Sequence, residues 1–354
     1  MTQDKRIKVK FTDVWNGFNA NGYPLWQHLQ KNFPVELSDD PDFLIFSING
    51  ANHLNYTCEK IFITHEAAFP DFRWCDYAIT FRPDINHPRH LQLQNFALRP
   101  GYQKIDQLVD RHRQDTAKIL AEKNRFGAYL ASNGNAKARE DIFDALSAYK
   151  KVDSGGKHRN NIGGPVPPNE TWDFLRGAKF IIACENSLSP GYVTEKLGNA
   201  MLADAIPIYW GDEFVNELFN PARFINARNF SSLDDLCAHV QDLDQSDEKY
   251  LDVLRQPCLK NNQQHACLKQ PYLLDFFADI FNGNRRELRR PDFEPAYYAR
   301  QNGWHRRYMK GPMTLAELDI LHAAREDYLK KGLLDTRFTK SMRQELEALA
   351  DSAD

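Results

Sequence analysis

The chain has 354 residues, enough for two domains of ordinary size that each have their own core. Hydrophobic residues make up 42% and charged residues 26%, which excludes a disordered chain and a chain embedded in a membrane. The net charge of -3 argues against nucleic acid as a main partner.

Short apolar runs and one helical pattern alternate in the first third of the chain. We predict a helix at residues 24–32 and strands at residues 7–11, 35–37, 43–46, 60–64 and 76–81. This alternation is typical of an α/β domain. A charged stretch at residues 104–123 follows, which we interpret as an exposed helix or linker, and we place the domain boundary near Asn124.

Glu66 directly follows the strand predicted at residues 60–64. Active-site groups of α/β proteins lie beyond the carboxyl ends of strands, and a carboxylate there can serve as a general base. On this pattern alone, a solvated loop charge is the more common role of such a glutamate. Asp71 is the rival carboxylate, and His65 is expected to shape the loop.

A second set of elements begins at Arg125, with a strand predicted at residues 125–132 and a helix at residues 136–149. Arg139 falls in the first turn of that helix, where a guanidinium can grip phosphate oxygens. The glycine-rich stretch at residues 152–164 has two interpretations: a backbone that approaches a phosphate or base closely, or a plain mobile loop.

The central stretch, residues 179–230, has the pattern strand, loop, helix, strand. We predict strands at residues 180–184 and 205–210 and a helix at residues 192–203. Glu195 and Lys196 lie in the first turn of this helix, where free N–H groups favour a phosphate. Lys196 would bind that phosphate and Glu195 would accept hydrogen bonds from sugar hydroxyls, unless the pair is an ordinary surface helix start.

Four segments of this stretch resemble the donor-site signature of the α-1,3/4-fucosyltransferases, glycosyltransferase family ten. They are Cys184-Glu185-Asn186, then Tyr192-Val193-Thr194-Glu195-Lys196, then Pro207-Ile208-Tyr209-Trp210-Gly211, then the run from Phe219 to Asn226. The resemblance implies an α/β fold of the GT-B type: two facing Rossmann-like domains, here with a C-terminal helical tail.

The resemblance also implies roles for single residues. Glu66 would be the general base, and Arg139 and Lys196 would contact the pyrophosphate of GDP-fucose. Glu195 would hold a donor hydroxyl, with Asn186 and Tyr192 as supporting contacts, while Glu185 stays open between a turn residue and a site residue. Ala67 departs from the family pattern, in which Asn is common.

We therefore expect an inverting transfer of L-fucose from GDP-fucose to a GlcNAc hydroxyl of an N-acetyllactosamine-type or type 1 glycan. The product would be of the Lewis type, as in lipopolysaccharide biosynthesis or protein glycosylation. A donor loop with D-x-D is absent from the sequence, so we predict no cofactor and no essential metal. Two alternatives remain: a GT-B transferase for another nucleotide sugar, and a non-catalytic nucleotide- or glycan-binding protein.

The predicted domains are residues 1–123 on the acceptor side, residues 124–282 for GDP-fucose, and a tail at residues 283–354. The tail interleaves basic and aromatic residues from Arg285 to Lys310, which could lie on an anionic membrane surface or pack on the catalytic body. Helices predicted at residues 314–334 and 339–350 suit packing or a homo-oligomer. Without a signal peptide or a membrane-spanning run, we expect a cytoplasmic protein, peripheral at the inner membrane face if the tail binds lipid.

Overall fold

The computed structural model describes residues 6–66, 68, 70, 72, 75–98, 102–111, 114–132, 134 and 136–283. The chain divides into two compact units, and the divisions fall after Pro100 and after His265. The first unit contains the residues before the first division and those after the second, and the second unit contains Gly101–His265. Each unit is built on a parallel sheet, which confirms the predicted α/β class.

The first unit has a six-stranded sheet whose strands are all parallel, in the order β2-β1-β3-β4-β5-β6. The strands are β1 Ile7–Thr12, β2 Val35–Leu37, β3 Phe43–Phe46, β4 Glu59–Ile63, β5 Tyr77–Thr80 and β6 His90–Gln92. Helix α1, Pro24–Asn32, packs Leu25, Trp26 and Leu29 onto this sheet. The predicted strands and helix are confirmed to within a few residues.

The second unit has a five-stranded parallel sheet in the order β11-β10-β9-β7-β8. Its strands are β7 Arg125–Tyr129, β8 Val152–Ser154, β9 Ala178–Ile182, β10 Ile206–Tyr209 and β11 Ile225–Asn226. Its helices are α2 Thr116–Ala121, α3 Lys137–Tyr149, α4 Thr171–Arg176, α5 Glu195–Leu202, α6 Val215–Leu218, α7 Leu233–Gln245 and α8 Asp247–Leu254. Apolar faces of α3, α7 and α8 share one core with β7, β9 and β10.

The predicted first boundary is too late, because the segment after Gly101 belongs to the second unit. The guanidinium of Arg111 donates to the Asp204 carboxylate at 2.7 and 2.8 Å and to the Leu202 carbonyl at 2.7 Å. The ammonium of Lys123 donates to the Ala203 carbonyl at 3.1 Å. These contacts attach the stretch to the C-terminal end of α5. Its many charged residues suggested solvent exposure and gave no sign of these partners.

The predicted second domain, residues 124–282, extends too far, because the last described helix, α9 Gln270–Phe281, belongs to the first unit. The buried side chains of α9 pack in the core of the first sheet, and they are Leu273, Phe276, Phe277 and Ile280. The aromatic rings of Tyr77 on β5 and Phe276 meet edge to face, with centroids 6.2 Å apart. The chain therefore returns to its first unit, because the sheet there offers apolar surface that α1 leaves uncovered.

No helix in the described ranges is both long and apolar enough to cross a lipid bilayer. All six cysteines lie within those ranges, and none of them forms a disulfide. The predicted helices of the tail, and its basic and aromatic residues from Arg285 onward, lie outside the described residues.

Candidate functional site

In the second unit, the predicted donor residues follow β7 and β9, which are neighbours in the sheet. Parallel strands end at one edge, so the segments that follow them meet there. Arg139 is the third residue of α3, which follows β7, while Asn186 lies four residues beyond the end of β9. Lys196 is the second residue of α5. Both cations therefore occupy first turns of helices, as predicted.

Arg139 is only 4% exposed, although it carries a permanent charge. Its guanidinium Nη1 donates to the amide Oδ1 of Asn186 at 2.8 Å, and its Cζ lies 5.9 Å from the centroid of the Tyr129 ring. Its Nε also lies 3.8 Å from the carboxylate of Glu140. A buried guanidinium needs partners that fix its plane. These partners hold Arg139 at the edge where β7 and β9 end.

Glu185 is the residue that the sequence left open, and the structure gives it a definite place. Its side chain is fully buried, and its carboxylate accepts from the Thr194 backbone N at 2.6 Å and from Lys196 Nζ at 2.7 Å. The Thr194 hydroxyl adds contacts at 2.8 and 3.0 Å. Burial raises the pKa of the Glu185 carboxyl, and the Lys196 ammonium opposes that shift. Glu185 therefore anchors the start of α5 and supplies a counter-charge for Lys196.

Lys196 has room for a further partner. Its ammonium donates to Glu185 and, at 2.9 Å, to the Thr194 hydroxyl. An ammonium has three N–H donors, so one donor is left after these two bonds. The side chain is 26% exposed. An anion at the first turn of α5 can therefore reach Lys196 without breaking the contact with Glu185.

The other predicted donor residues surround the same turn. Glu195 is the first residue of α5 and is partly exposed. Tyr192 lies three residues earlier and is buried. The backbone N of Gly191 donates to the carboxylate of Asp212 at 2.8 Å, so the segment that follows β10 fixes the entry to α5. Asp212, buried and one residue beyond the P-I-Y-W-G run, is a supporting residue that the sequence analysis missed.

The glycine-rich loop contains one glycine, Gly156, that close packing against another backbone segment explains. A Cβ on Gly156 would lie 2.1 Å from the carbonyl oxygen of Ala131. Gly156 is therefore needed for backbone packing against the segment after β7, and this position gives no argument for a phosphate. In the same loop, His158 Nε2 lies 2.8 Å from the Glu140 carboxylate, which also accepts from the Tyr129 hydroxyl at 2.7 Å. The loop is thus tied to the residue that follows Arg139.

In the first unit, Glu66 follows β4 at the edge where the parallel strands end. Its backbone N donates to the Thr64 hydroxyl at 3.0 Å, and its carbonyl accepts from Ala68 N at 2.6 Å. The side chain is partly exposed. The neighbouring His65 bonds through Nε2 to the Tyr23 hydroxyl at 3.0 Å, which agrees with its predicted role in shaping the loop. Ala67 and the rival carboxylate Asp71 lie outside the described residues.

Metal ligands are not clustered in the part of the chain that the structure describes: it contains no group of three or more His, Cys, Asp or Glu side chains that could hold an ion. The absence of an essential metal stays a prediction, as do the roles of Glu66, Arg139, Asn186, Tyr192, Glu195 and Lys196. What the structure adds is that Arg139 and Lys196 are bonded to consecutive residues, Asn186 and Glu185.

Two family profiles match the chain, one for each unit. The C-terminal profile of glycosyltransferase family 10 (fucosyltransferase) matches residues 120–256. The profile of the α-(1,3)-fucosyltransferase FucT N-terminal domain matches residues 9–99.

Relatives similar in sequence are fucosyltransferases by name. The α-(1,3)-fucosyltransferase FucT of Helicobacter pylori is 31% identical over an alignment of 319 positions, and the match covers 78% of this chain and 66% of that protein. The human 4-galactosyl-N-acetylglucosaminide 3-alpha-L-fucosyltransferase FUT6 is 36% identical over 140 residues, 38% of each chain. This chain thus spans just under two thirds of the bacterial relative and a smaller part of the human one.

Solved structures share the fold. A crystal structure of an α1,3-fucosyltransferase has a TM-score of 0.69 and 24% identity, and the match covers 81% of this chain and 93% of that one. A crystal structure of an α1,3-fucosyltransferase with GDP-fucose has a TM-score of 0.66 at the same identity, with 83% and 95% covered. At this identity the likeness shows the fold alone.

Proposed function

Because this chain belongs to glycosyltransferase family 10 and has the GT-B fold, we propose that it transfers L-fucose from GDP-fucose to a glycan. The acceptor would be a GlcNAc hydroxyl of an N-acetyllactosamine-type or type 1 glycan, and the linkage α-1,3 or α-1,4. The observation that carries the proposal is the pair of cations, Arg139 and Lys196, bonded to consecutive residues after β9.

The leaving group is the first chemical demand of this reaction. Departure of GDP places negative charge on the diphosphate, and cations already in position stabilise that charge without reorganising. Arg139 would grip phosphate oxygens with its guanidinium and Lys196 with its third N–H. Glu195, beside Lys196 on α5, would accept hydrogen bonds from a donor hydroxyl. Asn186 and Tyr192 would complete the donor contacts.

The acceptor hydroxyl is the second demand. An α-linked product from the β-linked donor needs inversion, so one in-line displacement suffices and no covalent intermediate forms. Glu66 would take the proton of the attacking hydroxyl as its oxygen bonds to the anomeric carbon. The bond from the anomeric carbon to the β-phosphate oxygen breaks with its electron pair on GDP. The position of Glu66 past the end of β4, with its backbone N–H bonded to the Thr64 hydroxyl, supports its role as the base.

The test is incubation of the full chain with GDP-fucose and either N-acetyllactosamine or its β1,3 isomer. Free GDP together with a fucosylated product supports the proposal, and the preferred isomer shows the linkage. Turnover only with a different nucleotide sugar would indicate the first alternative, a GT-B transferase for another donor. Binding of GDP or glycan with no turnover of any nucleotide sugar would indicate a non-catalytic binding protein.

We also propose a cytoplasmic protein whose basic and aromatic tail contacts the inner membrane face, and which forms a homo-oligomer. The composition of residues 285–310 supports the membrane contact, because basic residues are attracted to anionic lipid and aromatic rings suit the interface. Sedimentation with vesicles of anionic and of neutral lipid, with and without residues 284–354, tests the contact. Light scattering after size exclusion tests the oligomer.

A further inference from the structure

A cavity of about 340 Å³ lies in the first unit, at the end of the sheet where β1 outruns its neighbour. Strand β2 ends at Leu37, which is opposite Val9, whereas β1 continues to Thr12. The space beyond the shorter strand is the cavity. Its size lies within the range of ligand sites, about 300–1,000 Å³. Apolar and polar side chains line it together, among them Lys10, Phe11, Phe18, Leu37, Ser38 and Asp39.

An exposed aromatic ring stands beside this cavity. Trp15 is 48% exposed, in the loop that follows β1. Its ring contacts Phe18, a cavity residue, edge to face with centroids 4.9 Å apart, and Tyr23 at 5.7 Å. The ring is held by two aromatic neighbours and still faces solvent, so it offers an apolar surface next to the cavity.

The aromatic cluster leads from the cavity to the loop of Glu66. Tyr23 is 6% exposed, and its hydroxyl bonds to His65 Nε2 at 3.0 Å. The rings of Tyr23 and His65 are 6.3 Å apart, and His65 precedes Glu66. Two ring-to-ring steps therefore separate Trp15 from the loop of the proposed base. A ligand that reaches Glu66 along this edge can extend over Trp15.

The loop that carries Trp15 is held at its start. The Asp13 carboxylate accepts from Asn52 N at 3.0 Å and from His53 N at 2.9 Å, and it lies 2.5 Å from His53 Nδ1. These three contacts are inside the protein, since the side chains of Asp13 and His53 are fully buried. A surface that is ordered before binding loses less entropy on binding. The loop that contains Trp15 is therefore held in place where it begins, at Asp13.

The charges of the cavity decide the class of ligand. Lys10 Nζ and Asp39 Oδ1 are 2.6 Å apart, so the two charges neutralise each other. Such a pair offers donors and acceptors to hydroxyl groups but has no net charge with which to attract an anion. Phe11, Phe18 and Trp15 add apolar ring surface. A neutral ligand with many hydroxyls and apolar C–H faces fits this combination, and a sugar ring has both.

We propose that Trp15 and this cavity form a subsite for a sugar ring of the acceptor glycan that lies outside the reacting disaccharide. The inference rests on the proposed function, because it takes Glu66 as the place where the acceptor reacts. Trp15 covers the apolar face of the ring, and Lys10, Ser38 and Asp39 meet its hydroxyls. The subsite makes the enzyme prefer longer acceptors over the bare disaccharide.

The experiment compares Trp15→Ala with the wild type on N-acetyllactosamine and on a tetrasaccharide of two such units. Tyr272→Ala is the matched control, because Tyr272 is also 48% exposed and belongs to the same unit. We expect the KM of Trp15→Ala for the tetrasaccharide to rise about tenfold, which is about 1.4 kcal/mol. Its KM for the disaccharide and for GDP-fucose changes less than twofold, and Tyr272→Ala matches the wild type throughout.

Two results overturn the subsite: a tetrasaccharide KM for Trp15→Ala equal to that of the wild type, or equal losses on both acceptors. A second experiment tests the subsite independently of the proposed function. Saturation-transfer NMR measures tetrasaccharide binding directly, without the donor. Trp15-dependent binding by a wild type that transfers no fucose supports the subsite and rejects the proposed function. Fucose transfer to both acceptors that is unchanged in Trp15→Ala supports the proposed function and rejects the subsite.

Discussion

Arg139 donates a hydrogen bond to Asn186 over 2.8 Å, although the two residues are 47 positions apart in the chain. One begins the helix after β7 and the other lies in the loop after β9. The neighbour of Asn186, Glu185, binds Lys196 in the same way at 2.7 Å. Two adjacent residues thus hold two cations from separate β-to-α connections at one edge of the sheet, where the proposed diphosphate would bind.

Arg139→Ala should lower fucose transfer by about 10²–10³-fold, the usual cost of removing a donor that stabilises transition-state charge. The measurement is kcat and KM with GDP-fucose, and GDP affinity by calorimetry. Arg176→Ala is the control, because Arg176 is an exposed arginine of the same unit, with 57% of its side chain accessible. Unchanged transfer by Arg139→Ala would remove the residue from the diphosphate site.

Glu66→Gln should lower kcat by about 10²–10⁴-fold, the typical contribution of a general base. GDP affinity should stay at the wild-type value, because the base acts on the acceptor and not on the nucleotide. Glu36→Gln in the same unit is the control, since its carboxylate is 42% exposed and lies 4.0 Å from Arg6. Full transfer by Glu66→Gln would leave the rival carboxylate, Asp71, as the next candidate.

Glu185→Gln should impair Lys196, because the new amide group cannot accept at every position where the carboxylate does. An amide N–H facing the ammonium would oppose a donor with a donor. We expect a loss of about 1–3 kcal/mol in the free energy of unfolding and weaker GDP binding. Asp173→Asn, at a surface carboxylate with 83% of its side chain accessible, is the control and should be neutral.

A double-mutant cycle separates positioning from general damage at this pair. Lys196→Met combined with Glu185→Gln should show a coupling of about 0.5–3 kcal/mol in GDP binding, because the residues act together. Strictly additive effects would contradict a positioning role. Tighter GDP binding by Glu185→Gln would show instead that the carboxylate merely competes with the phosphate for Lys196.

Phe277→Ala tests the unit to which α9 belongs. Phe277 is fully buried in the core of the first sheet, so its truncation should cost about 3–5 kcal/mol. Hydrogen exchange should then accelerate in the amides of β1 and β5 more than in those of β7 and β9. Tyr272→Ala, on the exposed side of α9, should change stability by less than about 0.5 kcal/mol. Loss of protection mainly in the second sheet would refute the first-unit placement of α9.

Stability should fall on acidification below about pH 6.5, where histidine ordinarily titrates. Burial lowers the pKa of His90 to about 3, and His90 bonds to the Thr80 hydroxyl at 2.9 Å. Between about pH 3 and pH 6.5 the His90 side chain binds a proton in the unfolded chain but not in the folded protein. The contribution of His90 to the free energy of unfolding is therefore present above about pH 6.5 and is lost as the pH falls below that value. The loss for one histidine is at most about 1.4 kcal/mol per pH unit.

His90→Gln removes this titration and keeps a hydrogen-bonding group for Thr80. Urea unfolding at pH 7.5, 6.0 and 5.0 should therefore give a flatter dependence for the variant than for the wild type. His87, whose pKa burial lowers to about 4, retains its own contribution, so some slope should remain. An equal dependence of the free energy of unfolding on pH in both proteins would show that the titration of His90 does not contribute to it.

Local patterns in the sequence predicted the class of the fold, eight of the eleven strands that the structure describes, and the first helical turns that hold Arg139 and Lys196, whereas the short strands β6, β8 and β11 were not predicted. These features are local, since hydrophobic periodicity and turn-forming residues act over a few positions in the chain. The spacing of the motif also pointed to the family, because the residues that follow β9 and β10 are close in sequence as well as in space.

The contacts between groups that are distant in the chain come from the tertiary structure. Helix α9 has an apolar face that either sheet could bury, and its place was settled by the uncovered surface of the first sheet. Glu185 was open between a turn residue and a site residue, and its burial against Thr194 and Lys196 makes it the counter-charge of Lys196. Gly156 likewise packs against the backbone of Ala131, a distant contact that explains why this position is glycine. Contacts of this kind depend on burial and on partners far away in the chain, which local pattern does not encode.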